Sequence, residues 1–318
     1  QDHVRLRQKF GYQVSDGMWK FYKRIGIVDK NDKYTQHFGD PLWVYYQYRR
    51  AKGDRRPKNA VYAEGRRKMK EVEERGVDLA TGHGKNRWDL NPKLAAKVKT
   101  LYDDAKKCLW AELSPDFVKT IPNVVPVKTL SKDRNDYISH PSTGENLSPE
   151  SVARVEKLRD SWGANLPKGQ IVISDGLNAK AIMDEGHLAP YLEELNILLS
   201  EAGVAINDKI IVVTGGRVRA GYRIGEILFE KADPHSFRGI LNIIGERPGT
   251  MHHSYSVYIT VAKGKVWADK KIDHDITKVV CNIADTALPP REAAQETMTI
   301  MRELVGKGVV GSRRLAAL

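Results

Sequence analysis

Three short segments of this chain carry the residue types from which a ligand site can be built: Ser174-Asp175-Gly176-Leu177, Thr214-Gly215-Gly216-Arg217-Val218 and Gly245-Glu246-Arg247-Pro248-Gly249. Each contains glycine, which lets the backbone approach a ligand with no β-carbon in the way. Glu246 has two roles open to it. An ionised carboxylate accepts strongly from the amides of a neutral ligand, and it can equally form an ion pair with Arg247 that fixes the turn. Gly216 to Gly221 has the glycine spacing of a phosphate-binding loop, but Tyr222 stands where a lysine should follow, and the chain has no dinucleotide fingerprint. His252-His253 and Asp273-His274-Asp275 offer metal-capable side chains. Neighbours on a strand point to opposite faces, so neither run closes a coordination sphere alone, and a lone exposed histidine is the expected state. The cysteines, Cys108 and Cys281, are too few and too far apart for a disulfide scaffold or a cysteine zinc site, and fit a reduced, cytoplasmic setting.

The elements that must position these loops follow from pattern. Ile171-Val172-Ile173, Ile210 to Val213 and Gly239 to Ile244 are short apolar runs bounded by glycine, as expected of buried strands. Helical periodicity separates them: Leu188, Leu192, Leu195 and Leu199 share one face before Gly203, and a second helix runs through Tyr222 to Phe229. Strand–helix alternation predicts an α/β fold, a parallel-type, Rossmann-like sheet covered by helices, in which ligands settle at the carboxyl ends of the strands. Ser254 to Ala262 alternates and is expected to pair with Lys265 to Ala268 through Gly264 as an edge hairpin. Upstream, Asn91-Pro92 starts a helix with Leu94, Val98, Leu101, Ala105 and Leu109 in one stripe, and Ser114-Pro115 and Ser148-Pro149 start two more. The stretch from Ile121 to Asn146, with three prolines, is expected to be loop, and Pro289-Pro290 opens a last amphipathic helix. The first 55 residues are mainly helical, broken at Gly26 and at Gly39-Asp40-Pro41.

At 318 residues the chain is large enough for one sizeable domain and an appendage, and 41% hydrophobic with 29% charged residues describes globular material. No apolar run nears the roughly 20 residues that span a bilayer. The net charge of +12 is uneven: residues 1–100 hold 24 Lys/Arg against 12 Asp/Glu, and the remainder is balanced. Clustered cations raise the alternative of a nucleic-acid-binding protein, with Trp43, Tyr45, Tyr46 and Tyr48 as stacking groups. Without a zinc finger, helix-turn-helix or RNP pattern, a solvated or subunit-facing surface with packed aromatics is the better reading. A purely architectural subunit is the other alternative.

The three loops also carry a signature. Ile171 to Leu177, Gly216-Arg217-Val218, Ile224-Gly225-Glu226, Ile244 to Gly249, Asn282-Ile283 and Pro289 to Ala294, with Asp133 to Tyr137, Pro141 and Gly144 upstream, resemble the small subunit of ethanolamine ammonia-lyase over residues 115–318. Asp2 to Arg7, Phe10-Gly11, Trp19, Arg24 to Ile27 and Phe38 to Pro41 are similar to the carboxyl-terminal tail of that enzyme's large subunit. The resemblance implies three regions: a helical tail-like segment (1–50), a helical connection and small-subunit entry (51–165), and an α/β cobalamin-contacting domain (166–318). It further implies an adenosylcobalamin-dependent conversion of ethanolamine to acetaldehyde and ammonia by a radical route, with the catalytic barrel in the large subunit as partner and this chain inactive without it. The small subunit helps enclose the corrinoid through contacts that correspond to Val218 and Glu246. A third contact, a cysteine near Asn282-Ile283, has Val279 and Cys281 as its candidates. No catalytic residue and no metal ligand is expected here. The family's setting is the cytoplasm, with a bacterial microcompartment as a further possible housing.

Overall fold

The structure, a computed structural model, describes residues 16–37, 39–75, 77, 89–249 and 253–306. Of the tail-like segment, Asp2 to Arg7, Phe10-Gly11 and Phe38 lie outside the described residues. The chain divides into two compact units, residues 1–100 and 101–318.

In the first unit, α1 (Asp16–Arg24), α2 (Pro41–Ala51) and α3 (Lys58–Glu74) are helices. The expected break falls at Gly26, whose φ of +74° suits glycine. Around it Ile25, Ile27 and Val28 pack with Trp19, Tyr22 and Trp43. Asp40 caps α2, accepting from the amides of Leu42 (3.1 Å) and Trp43 (3.2 Å) ahead of the proline turn. The aromatic cluster is largely spent on packing. The Trp43 indole donates to the Ile25 carbonyl at 2.6 Å, the Tyr45 hydroxyl meets Glu64, and Tyr46 packs edge-on against Tyr62.

Helix α4 (Pro92–Trp110) begins where predicted, but its apolar stripe is not covered by sheet: Val98 is 45% exposed and the buried residue of the helix is Cys108. The second unit then runs α5 (Pro115–Thr120), β1 (Val124–Lys128), α6 (Arg134–Ser139), α7 (Pro149–Ser161), β2 (Gly169–Ser174), α8 (Ala179–Met183), α9 (Leu188–Glu201), β3 (Ile210–Thr214), α10 (Val218–Phe229), β4 (Phe237–Gly245), β5 (Tyr255–Lys263), α11 (Gly264–Ala268), β6 (Thr277–Ile283) and α12 (Pro290–Gly306). The six strands lie in the order β1-β3-β2-β4-β5-β6. The first four are parallel, and β5 and β6 add antiparallel to one edge. The expected α/β sheet covered by helices is therefore present, as a mixed sheet with a parallel core.

Alternation along the strands divides the core. Ile171, Ile173, Ile210, Val212, Leu241, Ile243, Val257 and Ile259 face a layer containing α8, α9 and α12. Val172, Ile211, Val213 and Ile240 face the other layer, with α7, α10 and Trp267. Strands β2 and β3 are neighbours, yet the chain leaves them toward opposite faces, to α8 and to α10. That divergence opens a crevice at their carboxyl ends. No described helix is long and apolar enough to cross a membrane.

Two expectations are corrected. Lys265 to Ala268 is not a strand but α11, because Trp267 must be buried: its indole donates to the carbonyls of Arg238 (3.1 Å) and Ala262 (3.2 Å), and its ring packs on Phe229. β5 instead pairs antiparallel with β4 on one side and, on the other, with β6, which begins only at Thr277. The proline-rich stretch after Ile121 also contains a strand. β1 accommodates Pro126 because it lies at the sheet edge, where a missing N–H interrupts no inner ladder.

Candidate functional site

The three glycine loops meet. A small open cleft of about 120 Å³ is lined by Gly176 and Leu177 from the β2 loop, Arg217 and Val218 from the β3 loop, and Ile244 to Arg247 from the β4 loop, with Tyr137 and Tyr258 completing it.

Asp175 ties the first two loops together. Its buried carboxylate accepts from the amides of Gly215 and Gly216, each at 3.0 Å, and Arg134 approaches at 3.4 Å. Burial pushes this carboxyl up to about 6, while Arg134 and the two amides pull it down. The first and third loops join through backbone alone. The Leu177 amide donates to the Gly245 carbonyl at 3.1 Å, and a β-carbon on Gly245 would lie 2.1 Å from the Asn178 carbonyl oxygen. Behind the β3 loop the Tyr137 ring packs on two guanidinium groups, with its centroid 4.6 Å from the Cζ of Arg134 and 4.3 Å from the Cζ of Arg217. Its hydroxyl donates to the Gly216 carbonyl at 3.2 Å.

Val218 opens α10 and lines the cleft. The glycines that looked like a phosphate loop have another use: Gly221 lies against Asn242, whose side-chain amide donates to the Val218 carbonyl at 3.3 Å. Glu246 is half-buried on the third loop, held by its own amide on the Ser254 carbonyl at 3.0 Å. Of its two open roles, the ion pair with Arg247 is not formed. Its carboxylate instead receives the Arg247 backbone amide at 3.4 Å and keeps further acceptor capacity toward the cleft.

Val279 and Cys281 do not line the cleft but stand beside it on β6, both exposed. Val279 pairs across the sheet with Tyr258, and Cys281 lies within electrostatic reach of it. Burial, and then the charges of Glu246 and Cys281, push the Tyr258 hydroxyl up to about 12. At Asn282, φ of +60° and a register shift opposite Tyr255/Val257 mark a bulge that re-aims this edge strand. Arg217 belongs to a loop the sequence had already marked, whereas sequence reasoning did not single out Tyr258 or Tyr137 as cleft residues. Tyr258 alone had a local signal, as an aromatic at a polar-phase position of β5.

The histidines depart from expectation. His252 lies outside the described residues. His253 is not a lone exposed side chain: Nδ1 meets Asp184 at 2.6 Å, and Nε2 meets Asp104 at 2.8 Å and the Cys108 thiol at 3.3 Å. His274 bonds the Tyr222 hydroxyl at 2.9 Å, and Asp273 pairs with Arg219.

The cleft can receive the edge of a large, neutral, amide-bearing ligand. It offers a carboxylate acceptor and apolar contacts from Leu177 and Val218, whereas the space that β-carbons on Gly176, Gly216 and Gly245 would occupy is filled by neighbouring protein atoms, so these glycines serve packing between the loops. The cleft is too small to enclose such a ligand. A protein-family model described as ethanolamine ammonia-lyase light chain (EutC) matches residues 65–313 of this chain.

Proposed function

Because the chain belongs to the ethanolamine ammonia-lyase light-chain family, we propose that its α/β unit forms one wall of the adenosylcobalamin site of that lyase. The large-subunit barrel closes the site from the other side and performs the chemistry on ethanolamine, and the light chain alone is inactive. The observation that carries the reading is the convergence of three glycine loops, with the Glu246 carboxylate on one of them, on a single open cleft.

The residues present fit the group. A corrin macrocycle is a broad apolar plate rimmed by amides, so it needs acceptors at its edge and close, unhindered backbone. Glu246 supplies the acceptor. Gly176 and Gly245 let the β2 and β4 loops that frame the cleft pack backbone to backbone, with no room for a side chain at either position. Val218 and Leu177 offer apolar contact, and Val279 and Cys281 extend the wall along β6. When bound, adenosylcobalamin supplies the radical that starts the removal of ammonia, while protein supplies binding, orientation and exclusion of water. Residues 1–50, outside the matched span, are proposed as the counterpart of the large-subunit tail, which joins this chain to its partner. The assembled hetero-oligomer is placed in the cytoplasm or in a bacterial microcompartment.

The test is a corrinoid titration of this chain with its large subunit, followed by absorbance. Glu246→Ala should weaken binding roughly tenfold or more, the size of a hydrogen bond to a charged group. Ammonia release should require both subunits. Unchanged corrinoid affinity in Glu246→Ala would remove Glu246 from the site.

A further inference from the structure

Away from the cleft, four side chains from three parts of the α/β unit converge. Asp104 and Cys108 are one helical turn apart on α4 and so share a face. His253 comes from the end of the β4–β5 connection, and Asp184 directly follows α8. Sulfur, nitrogen and oxygen of Cys108, His253 and Asp104 lie within 4.8 Å of one another. Their separations are 3.3 Å (Sγ to Nε2), 2.8 Å (Nε2 to Oδ2) and 3.7 Å (Sγ to Oδ2).

We propose that Asp104, Cys108 and His253 bind a zinc-class divalent cation, with Asp184 orienting the histidine. Zinc bonds of about 2.0–2.3 Å in tetrahedral array set ligand-to-ligand edges of about 3.3–3.6 Å. The two edges to sulfur already approach this, and the third must open by about half an ångström as the Nε2–Oδ2 hydrogen bond gives way to two metal bonds.

Three further observations favour a metal over a simple hydrogen-bonded cluster. Cys108 is fully buried yet belongs to none of the three apolar clusters among the described residues, so its thiol is directed at polar groups instead of filling a core. Asp184 holds Nδ1 at 2.6 Å, leaving Nε2 to face the other two donors, which is the carboxylate–histidine–metal arrangement. Asp104 and His253 are partly open to solvent, which provides an entry path and room for water as a fourth ligand. Charge balances as well: a thiolate and one carboxylate neutralise a dication. Binding transfers the Cys108 proton, and any proton shared by Nε2 and Asp104, to solvent.

The site also has a place in the fold. Asp184 caps the end of α8, the helix that follows the Gly176 loop, and His253 stands near the end of the connection that begins at Glu246. A cation here fastens both segments to α4.

The full chain, stripped with chelator, is titrated with Co²⁺ as the spectroscopic probe, and Zn²⁺ is added in competition. One Co²⁺ per chain should bind with a sulfur-to-cobalt charge-transfer band that Zn²⁺ abolishes. Cys108→Ser should lose the band, while Cys281→Ser keeps it. Asp184→Asn should keep the band and weaken affinity roughly 10- to 100-fold. Should Cys108→Ser fail to fold by circular dichroism, the near-isosteric Asp104→Asn tests the same ligand set and should also bind at least tenfold more weakly. A band that is absent from wild type or persists in Cys108→Ser, or an Asp104→Asn variant with wild-type affinity, overturns the proposal.

Discussion

Asp175→Ala should cost the α/β unit about 3–5 kcal/mol, the usual penalty for leaving a buried charge without its partner. The substitution strands the Gly215 and Gly216 amides and removes the Asp175 carboxylate that faces Arg134, whose Nη2 is already buried without a partner among the described residues. Urea midpoints measure the loss, and a change below about 1 kcal/mol would show that the loops hold together without this carboxylate. Asp175→Asn keeps the shape but turns one acceptor into a donor against an amide, so its loss should fall between wild type and alanine. The pH dependence has a definite sign. Burial raises the folded carboxyl to about 6, above the roughly 4 expected in the unfolded chain. The native state therefore holds the proton more tightly across that window. The contribution of this group is complete below about pH 4, is lost as pH rises to about 6, and is constant above. That arm of the stability profile should be absent in Asp175→Asn, and parallel profiles for the two proteins would refute the assignment.

Gly245→Ala should destabilise by about 3 kcal/mol or more, at the upper end of overpacking effects. The new β-carbon would sit 2.1 Å from the Asn178 carbonyl oxygen and 2.6 Å from that of Asp175. Both are backbone atoms of a turn whose residues Asp175, Gly176 and Asn178 are buried, with no flexible side chain to give way. Gly176 faces the same constraint from the other side, where a β-carbon would meet the Gly245 carbonyl at 2.2 Å at a φ of +58°. Alanine at 245 must separate the β2 and β4 loops, so corrinoid affinity should fall together with stability. Gly17→Ala, with open space around it, is the matched control and should stay within about 0.5 kcal/mol. A Gly245→Ala protein as stable as that control would mean that the two loops are not closely packed in solution.

Much of the parallel core was readable in advance because its strands are buried on both faces and so appear as unbroken runs such as Ile171-Val172-Ile173. The capped helices were readable because Ser114, Ser148 and Asn91 stand beside proline at their starts. Three elements were not. β1 contains a proline that only an edge position tolerates. Lys265 to Ala268 has a strand-like look, but the burial of Trp267 outweighs local preference. β6 mixes Lys278, Asn282 and a bulge, so its alternation is broken where it matters. The cluster around His253 had no local signal at all, since its members at 104, 108, 184 and 253 are united only by folding.

The order of residues was enough to establish most of the segments that became strands and helices, and that glycine would stand in the loops leaving β2, β3 and β4, since burial and φ are properties a short segment already implies. It was also enough to carry the light-chain signature. Three features became visible only with all six strands in register: the Asp175 link between loops forty residues apart, the direct seating of Gly245 on Asn178, and the meeting of a thiol, an imidazole and two carboxylates beside α4. These depend on distances between segments remote along the chain, and such distances are set by how two layers of helices pack on one twisted sheet.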